Sequence, residues 1–300
     1  MAGRGRDLQL PAVLPLGVGL PVLVDGLVPP VQARRGEPSA DLPGRPPRGR
    51  RSSSPGSRLP AMPPLPMPDD WQRALVVAAH PDDIEYGAAA AVAVWTAAGK
   101  EVHYLLATRG EAGIAGMSPA EAGPLREEEE RRSAAVVGVS QVEFLDHRDG
   151  VLVAGPELRR DLAAAIRRHR PELVVTGYFG ATWTPPGVSP AYVNSADHRA
   201  LGQSVLDAVA DAANEWIFPD LTEPRWSGVQ YIAVGELADP PHQVDVGEAV
   251  ELAVASLSEH RRYLELLSDE PVDVQARQIV DMSTLTEDGA RRVGFRLFWG

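Results

Sequence analysis

The sequence predicts an α/β domain, a Rossmann-like, mainly parallel sheet with helices on both faces. Two observations carry this. After Trp71, near-continuous apolar runs of strand length alternate with longer helical segments, and glycine or proline stands at the joints. Such alternation builds parallel strands linked by crossover helices, whose buried strands lack the polar-apolar alternation of a solvated sheet. In order, ALVVAA (Ala74 to Ala79) is a strand, and the alanine-rich stretch Ile84 to Ala98 is a helix stopped by Gly99. VHYLLAT (Val102 to Thr108) is the second strand, and a helix from Pro124 to Val137 ends at Gly138. VEFLD (Val142 to Asp146) precedes a helix from Pro156 to His169, and Pro171 marks the break before the strand ELVVTG. A helix from Asp197 to Ala213, the strand VQYIAVG (Val229 to Gly235) and a helix from Val246 to Leu267 complete the pattern.

Residues 1–68 differ in kind. They hold 15 of the 28 prolines and nine arginines against four acids. A segment this poor in buriable surface cannot offset its chain entropy and is expected to be disordered, leaving residues 69–300 as a single catalytic domain. Within it, the stretch from Leu8 to Ala33 has the outline of an export signal, but Pro11, Pro15 and Pro21 disfavour a helical core and Asp25 interrupts the run. A cytoplasmic location is therefore expected; an upstream extension, with synthesis starting at Met62 or Met67, is the alternative account of the head. Stable membrane insertion is not expected, because no other segment approaches the roughly 20 uninterrupted apolar residues a span needs. The net charge of −12, concentrated after the basic head, argues against nucleic-acid binding. With no cysteine, disulfides, thiolate ligands and a cysteine nucleophile are excluded, so a bound metal would rest on His, Asp and Glu.

In open α/β sheets, sites form beyond the carboxyl ends of the strands. The first strand ends in His80-Pro81-Asp82-Asp83, and Tyr178 to His198 follows the fourth. A catalytic zinc site needs three nitrogen or oxygen ligands and one open position. His80 and Asp83 can converge on one ion, His198 is a candidate third ligand, and Asp82 is left beside the metal to act as a base. The same donors accept Fe2+ or Co2+. The alternative is that Asp82 and Asp83 cap the following helix and that His198 is a surface or cap residue.

AHPDDIEYG resembles the opening motif of the PIG-L or LmbE-like family of zinc-dependent N-acetylglucosaminyl deacetylases, which includes enzymes of the mycothiol and bacillithiol pathways. TRGEAGI, REEEERRSAAVVGV, VEFLDHRDG, YVNSADHRALG, PPHQVDV and SLSEHRRYL follow in that family's order. The resemblance implies His80, Asp83 and His198 as zinc ligands and Asp82 as general base. It implies a metal-activated water attacking the acetamide of an amino-sugar or glycoconjugate substrate. Arg126, Asp146 and Asp149 match substrate-contacting positions; ion pairing of Arg126 with Glu129 or Glu130, and a plain turn at Asp146 to Gly150, are the alternatives. One departure stands out: where many members carry a histidine three residues before the last ligand, this chain has Ser195, which cannot titrate near neutrality. His242 and His147 are the substitute acids to consider, and a catalytically impaired or non-catalytic sugar- or metal-binding relative is the rival reading. Ala253 and Tyr263 also depart from the Lys and Ser of relatives, whereas His260 is retained.

Overall fold

Each apolar run ends in polar residues, and the fold brings most of those ends to one rim. The computed structural model describes residues 64–184, 191–236, 240–286 and 288–300, so the expected disorder of the head lies almost wholly outside the described residues. The elements are β1 (Leu65–Pro66), β2 (Arg73–Ala78), α1 (Asp83–Gly87), α2 (Ala89–Ala97), β3 (Glu101–Leu106), α3 (Pro119–Val136), β4 (Gln141–Phe144), α4 (Pro156–His169) and β5 (Leu173–Thr176). There follow β6 (Thr182–Trp183), β7 (Tyr192–Val193), α5 (Ala196–Ala213), β8 (Tyr231–Gly235), β9 (His242–Asp245), α6 (Val250–Ser258), α7 (Arg261–Leu267), α8 (Val272–Thr284) and β10 (Arg292–Trp299).

Eight strands form one sheet in the order β1-β9-β10-β8-β5-β2-β3-β4. The five from β8 to β4 run parallel, and β10 is antiparallel to both its neighbours. From β2 the chain winds outward through β3 and β4, then returns to the other side of β2 at β5. The order therefore reverses between β2 and β5, and a crevice opens beyond their carboxyl ends. Burial on both faces explains the unbroken apolar runs. Ala74, Val76 and Ala78 of β2 face one core with α2, α6 and α8, while Leu75 and Val77 face a second core with α4 and α5. Cutting a fully buried leucine such as Leu75 or Leu105 to alanine would cost about 2–5 kcal/mol.

Three expectations are corrected. The helix expected over 84–98 is broken at Ala88, beside Gly87, which removes side-chain support from the turn. α3 begins at Pro119 rather than Pro124, because Ser118 and Glu121 form a reciprocal capping box one turn earlier. The helix expected over 246–267 is divided: a 3-10 turn precedes α6, and His260 stands as N-cap of α7. Among the described residues no helix is long and apolar enough to cross a membrane.

Candidate active site

β2 runs out at Ala78 and turns through Ala79, His80 and Pro81 into α1. Asp83 closes this turn: its Oδ2 accepts the backbone N–H groups of Ala79 (3.1 Å) and His80 (2.9 Å). That oxygen lies 3.3 Å from His80 Nδ1, and Oδ1 lies 3.0 Å from Nε2 of His198, in the first turn of α5. His80, Asp83 and His198 thus present donor atoms all within 4.8 Å of one another. The outward nitrogen of each imidazole has its own acceptor. His80 Nε2 faces Asp149 Oδ1 (3.1 Å) and Asp197 Oδ2 (3.2 Å), and His198 Nδ1 faces Asn194 Oδ1 (3.2 Å). Metal-ligating histidines are typically held in this manner, which fixes tautomer and ring orientation, so the donor set fits a divalent cation. Burial opposes charge at Asp83, but the His198 and His80 imidazoles outweigh it and hold this carboxyl well below the usual range. Burial likewise pulls the His80 pKa down, and Asp83, Asp149 and Asp197 more than reverse it.

Asp82, between the two candidate ligands His80 and Asp83, is 1 % exposed and sits in the left-handed region at φ 91°. Its backbone N–H donates to Glu130 Oε2 (3.2 Å), and its Oδ1 accepts from Arg126 (3.0 Å). Oδ2 has no hydrogen-bond partner among the described residues. Burial pushes the Asp82 carboxyl up to about 6, against the opposing pull of Arg126. The helix-capping alternative fails for Asp82, whose side chain makes no cap bond, while Asp83 reaches back toward the strand rather than into α1. Arg126 pairs with Asp82 rather than with Glu129 or Glu130. It is 2 % exposed and donates to Asp82, to the Pro81 carbonyl and to the Gly110 carbonyl (3.1 Å), with the Tyr263 ring at 4.2 Å. Glycine makes this possible: a Cβ at Gly110 or Gly113 would stand 2.3 or 2.5 Å from its Nη1.

The stretch that carries these residues is similar to known proteins. Residues 75–209 match the family model described as PIG-L, GlcNAc-PI de-N-acetylase. The chain carries a PIG-L domain. It is 29% identical over 198 residues to a diacetylchitobiose deacetylase of Thermococcus kodakarensis, covering 64% of this chain and 70% of that one. It is 28% identical over 195 residues to a probable N-acetyl-alpha-D-glucosaminyl L-malate deacetylase 2 of Bacillus anthracis, covering 62% of this chain and 79% of that one. Among solved structures, N,N'-diacetylchitobiose deacetylase from Pyrococcus horikoshii superposes with a TM-score of 0.64 at 25% identity, over 76% of this chain and 84% of that one.

The other expected residues of the PIG-L domain and its flank divide. Asp149 is inside the site, but against His80 and the Ala112 N–H (2.8 Å). Asp146 is exposed and paired with Arg109 at 2.8 Å. His147 turns to Asp161 on α4 (3.1 Å). His242 aligns through Phe295 with Gly235, at the level of the rim, but four strand positions from β2. Ser195 is the N-cap of α5, its Oγ accepting the Asp197 N–H (3.1 Å).

Sequence reasoning missed Asp197, Asn194 and Glu130. Asp197 also accepts the N–H groups of Gly150 (2.7 Å) and Leu152 (3.0 Å), tying the loop after β4 to the metal-donor group. Its signal was available, an acid directly preceding the candidate ligand His198; that of Glu130, inside a run of four glutamates, was not.

Proposed function

We propose that this PIG-L domain is a metal-dependent hydrolase that removes an N-acetyl group from an amino-sugar conjugate. The observation that carries the reading is the convergence of His80, Asp83 and His198 beside a buried, unsatisfied Asp82 oxygen. The deacetylase names of the relatives support it. His80, Asp83 and His198 would hold the ion; zinc is the first choice, and iron or cobalt suits the same donors. When bound, such an ion supplies Lewis acidity to a water and to the amide carbonyl.

The chain's own residues supply the proton transfers. Asp82, with a pKa near 6, is largely ionised at neutral pH and still basic enough to take a proton from water on Oδ2. Ser195 does not titrate near neutrality, so the protonated Asp82 returns that proton to the departing amine nitrogen. Amide and water give acetate and free amine. Asp197, Asp149 and Asn194 hold the two imidazoles in register throughout.

The test is acetate release from diacetylchitobiose and a panel of N-acetylglucosamine conjugates, with zinc-loaded and metal-stripped protein. Turnover lost on stripping, in His80→Ala and in Asp82→Asn is the expected result; unchanged turnover in Asp82→Asn would remove the base. A second reading rests on Ser195, a capping residue where many relatives carry a histidine. It predicts metal binding without turnover, and activity gained in Ser195→His.

A further inference from the structure

Behind the proposed base lies a polar cluster that the mechanism above does not use. Glu130, Glu85 and His260 are buried, His260 and Glu130 completely. His260 Nε2 faces Glu85 Oε2 at 3.4 Å and Glu130 Oε2 at 3.6 Å. Glu85 Oε1 accepts from Ser133, which in turn contacts Ser256. Burial alone would lower the His260 pKa, and the two glutamates raise it instead to about 9. Carboxylates this deep are costly to keep charged unless a cation answers them, so the cluster requires a reason.

That reason lies in what Glu130 touches on its other side. Its Oε2 accepts the N–H of Asp82, whose left-handed backbone is uncommon for a residue with a Cβ and is held here by its surroundings. Glu130 and Arg126 stand one turn apart on α3. One fixes the Asp82 main chain and the other its side chain. We infer that Glu130, anchored by His260, is a positioning residue that holds the Asp82 peptide in the left-handed turn and thereby aims the carboxylate away from Asp83. This rests on the reading of Asp82 as the base. Glu130 touches neither the metal donors nor, in the proposed chemistry, the substrate. Its loss therefore acts on turnover rather than on binding; misplacing a reacting group by about 1 Å costs about 10²-fold.

The experiment compares Glu130→Leu and Glu130→Gln with the unmodified protein for kcat, KM, zinc per chain and exchange of the Asp82 amide proton followed by NMR. Expected is a fall in kcat of about 10²-fold in Glu130→Leu, with KM within about threefold, one zinc retained and the amide deprotected. Glu130→Gln, which keeps an acceptor oxygen, recovers most of the rate and the protection. Unchanged kcat in Glu130→Leu, or a loss explained by lost zinc, overturns the inference. Two zinc ions per chain falling to one in Glu130→Gln also overturns it, by making the cluster an ion site. Should Glu130→Leu fail to fold, an Asp82 amide that exchanges freely in the unmodified protein overturns it, and protection in both that protein and Glu130→Gln supports it. If the unmodified protein cleaves no N-acetyl sugar, the functional reading fails separately, while zinc content and amide exchange still judge the role of Glu130.

Discussion

Replacing Arg126 with methionine removes the only cation bonded to the Asp82 carboxylate among the described residues while keeping most of the side-chain volume. The pair is 3.0 Å long with side chains 2 % and 1 % exposed, so water cannot take the arginine's place without rearrangement. Breaking a buried pair from one side costs about 3–5 kcal/mol. In a domain of this size each kcal/mol lowers the midpoint by about 2–4 °C, so Arg126→Met should melt about 6–20 °C below the unmodified protein at neutral pH. The sign with pH follows from Asp82. Burial raises its carboxyl to about 6 and Arg126 pulls it down, so without Arg126 it rises further. A carboxyl raised on folding favours the folded state fully below its unfolded value of 3.8, and that advantage disappears as pH rises through the folded value. The stability deficit of Arg126→Met should therefore be complete only above the raised Asp82 value of the variant and shrink on acidification, as Asp82 becomes neutral. The acid limb of kcat/KM, set near pH 6 by ionisation of the base, should move to higher pH. Thermal melts from pH 5 to 8 and a pH–rate profile measure both effects. A midpoint within about 2 °C of the unmodified protein, or a limb that stays or moves to lower pH, refutes the assignment of Arg126 as the partner that tunes the base.

Three further outcomes are expected. Gly113→Ala drives a Cβ to 2.5 Å from Arg126 Nη1 and should shift the acid limb in the same direction as Arg126→Met, with an overpacking cost of about 1–3 kcal/mol by denaturant titration. Asp197→Asn places an amide against His80 and the Gly150 and Leu152 N–H groups, and should lower zinc affinity about 10–100-fold in competition with a chromophoric chelator. At the far edge of the sheet, His103 Nδ1 lies 2.8 Å from His169 Nδ1, and burial followed by His169 lowers the His103 pKa below 6.5. As the unfolded chain takes up the proton first, stability is lost as pH falls below about 6.5, and His103→Gln should flatten that loss in denaturant midpoints taken at pH 5.5 and 7.5.

What could be read from the sequence follows its local signals. α4 has the expected bounds because Pro156 opens it and Arg167, Arg168 and His169 favour its C-terminal dipole. α3 was placed a turn and a half late because Pro124 is a stronger visible signal than Ser118 paired with Glu121. α8 and the antiparallel β10 escaped because they follow the last β-α unit, although β10 alternates, burying Val293 and Phe295 beside less buried Arg292 and Arg296. In the site, His80 and Asp83 are legible as a spacing and His198 as a residue of the right rim. The role of Arg126 is not, because it depends on the rotation of a helix whose contact with Asp82 spans 44 residues, and on two glycines that leave room.

The left-handed backbone at position 82 also restricts which side chains that position can carry. Asp and Asn tolerate positive φ better than other residues with a Cβ, because a short polar side chain can bond locally. Glutamate gains a methylene and loses that tolerance, so a longer acid would disturb the main chain before its carboxylate could be tried. The choice between the two acidic amino acids is thus made here by φ as much as by proton chemistry. It also ranks the knock-outs: Asp82→Asn changes charge on an unchanged backbone, whereas Asp82→Ala alters charge, side-chain shape and main-chain preference together and reports on all three at once.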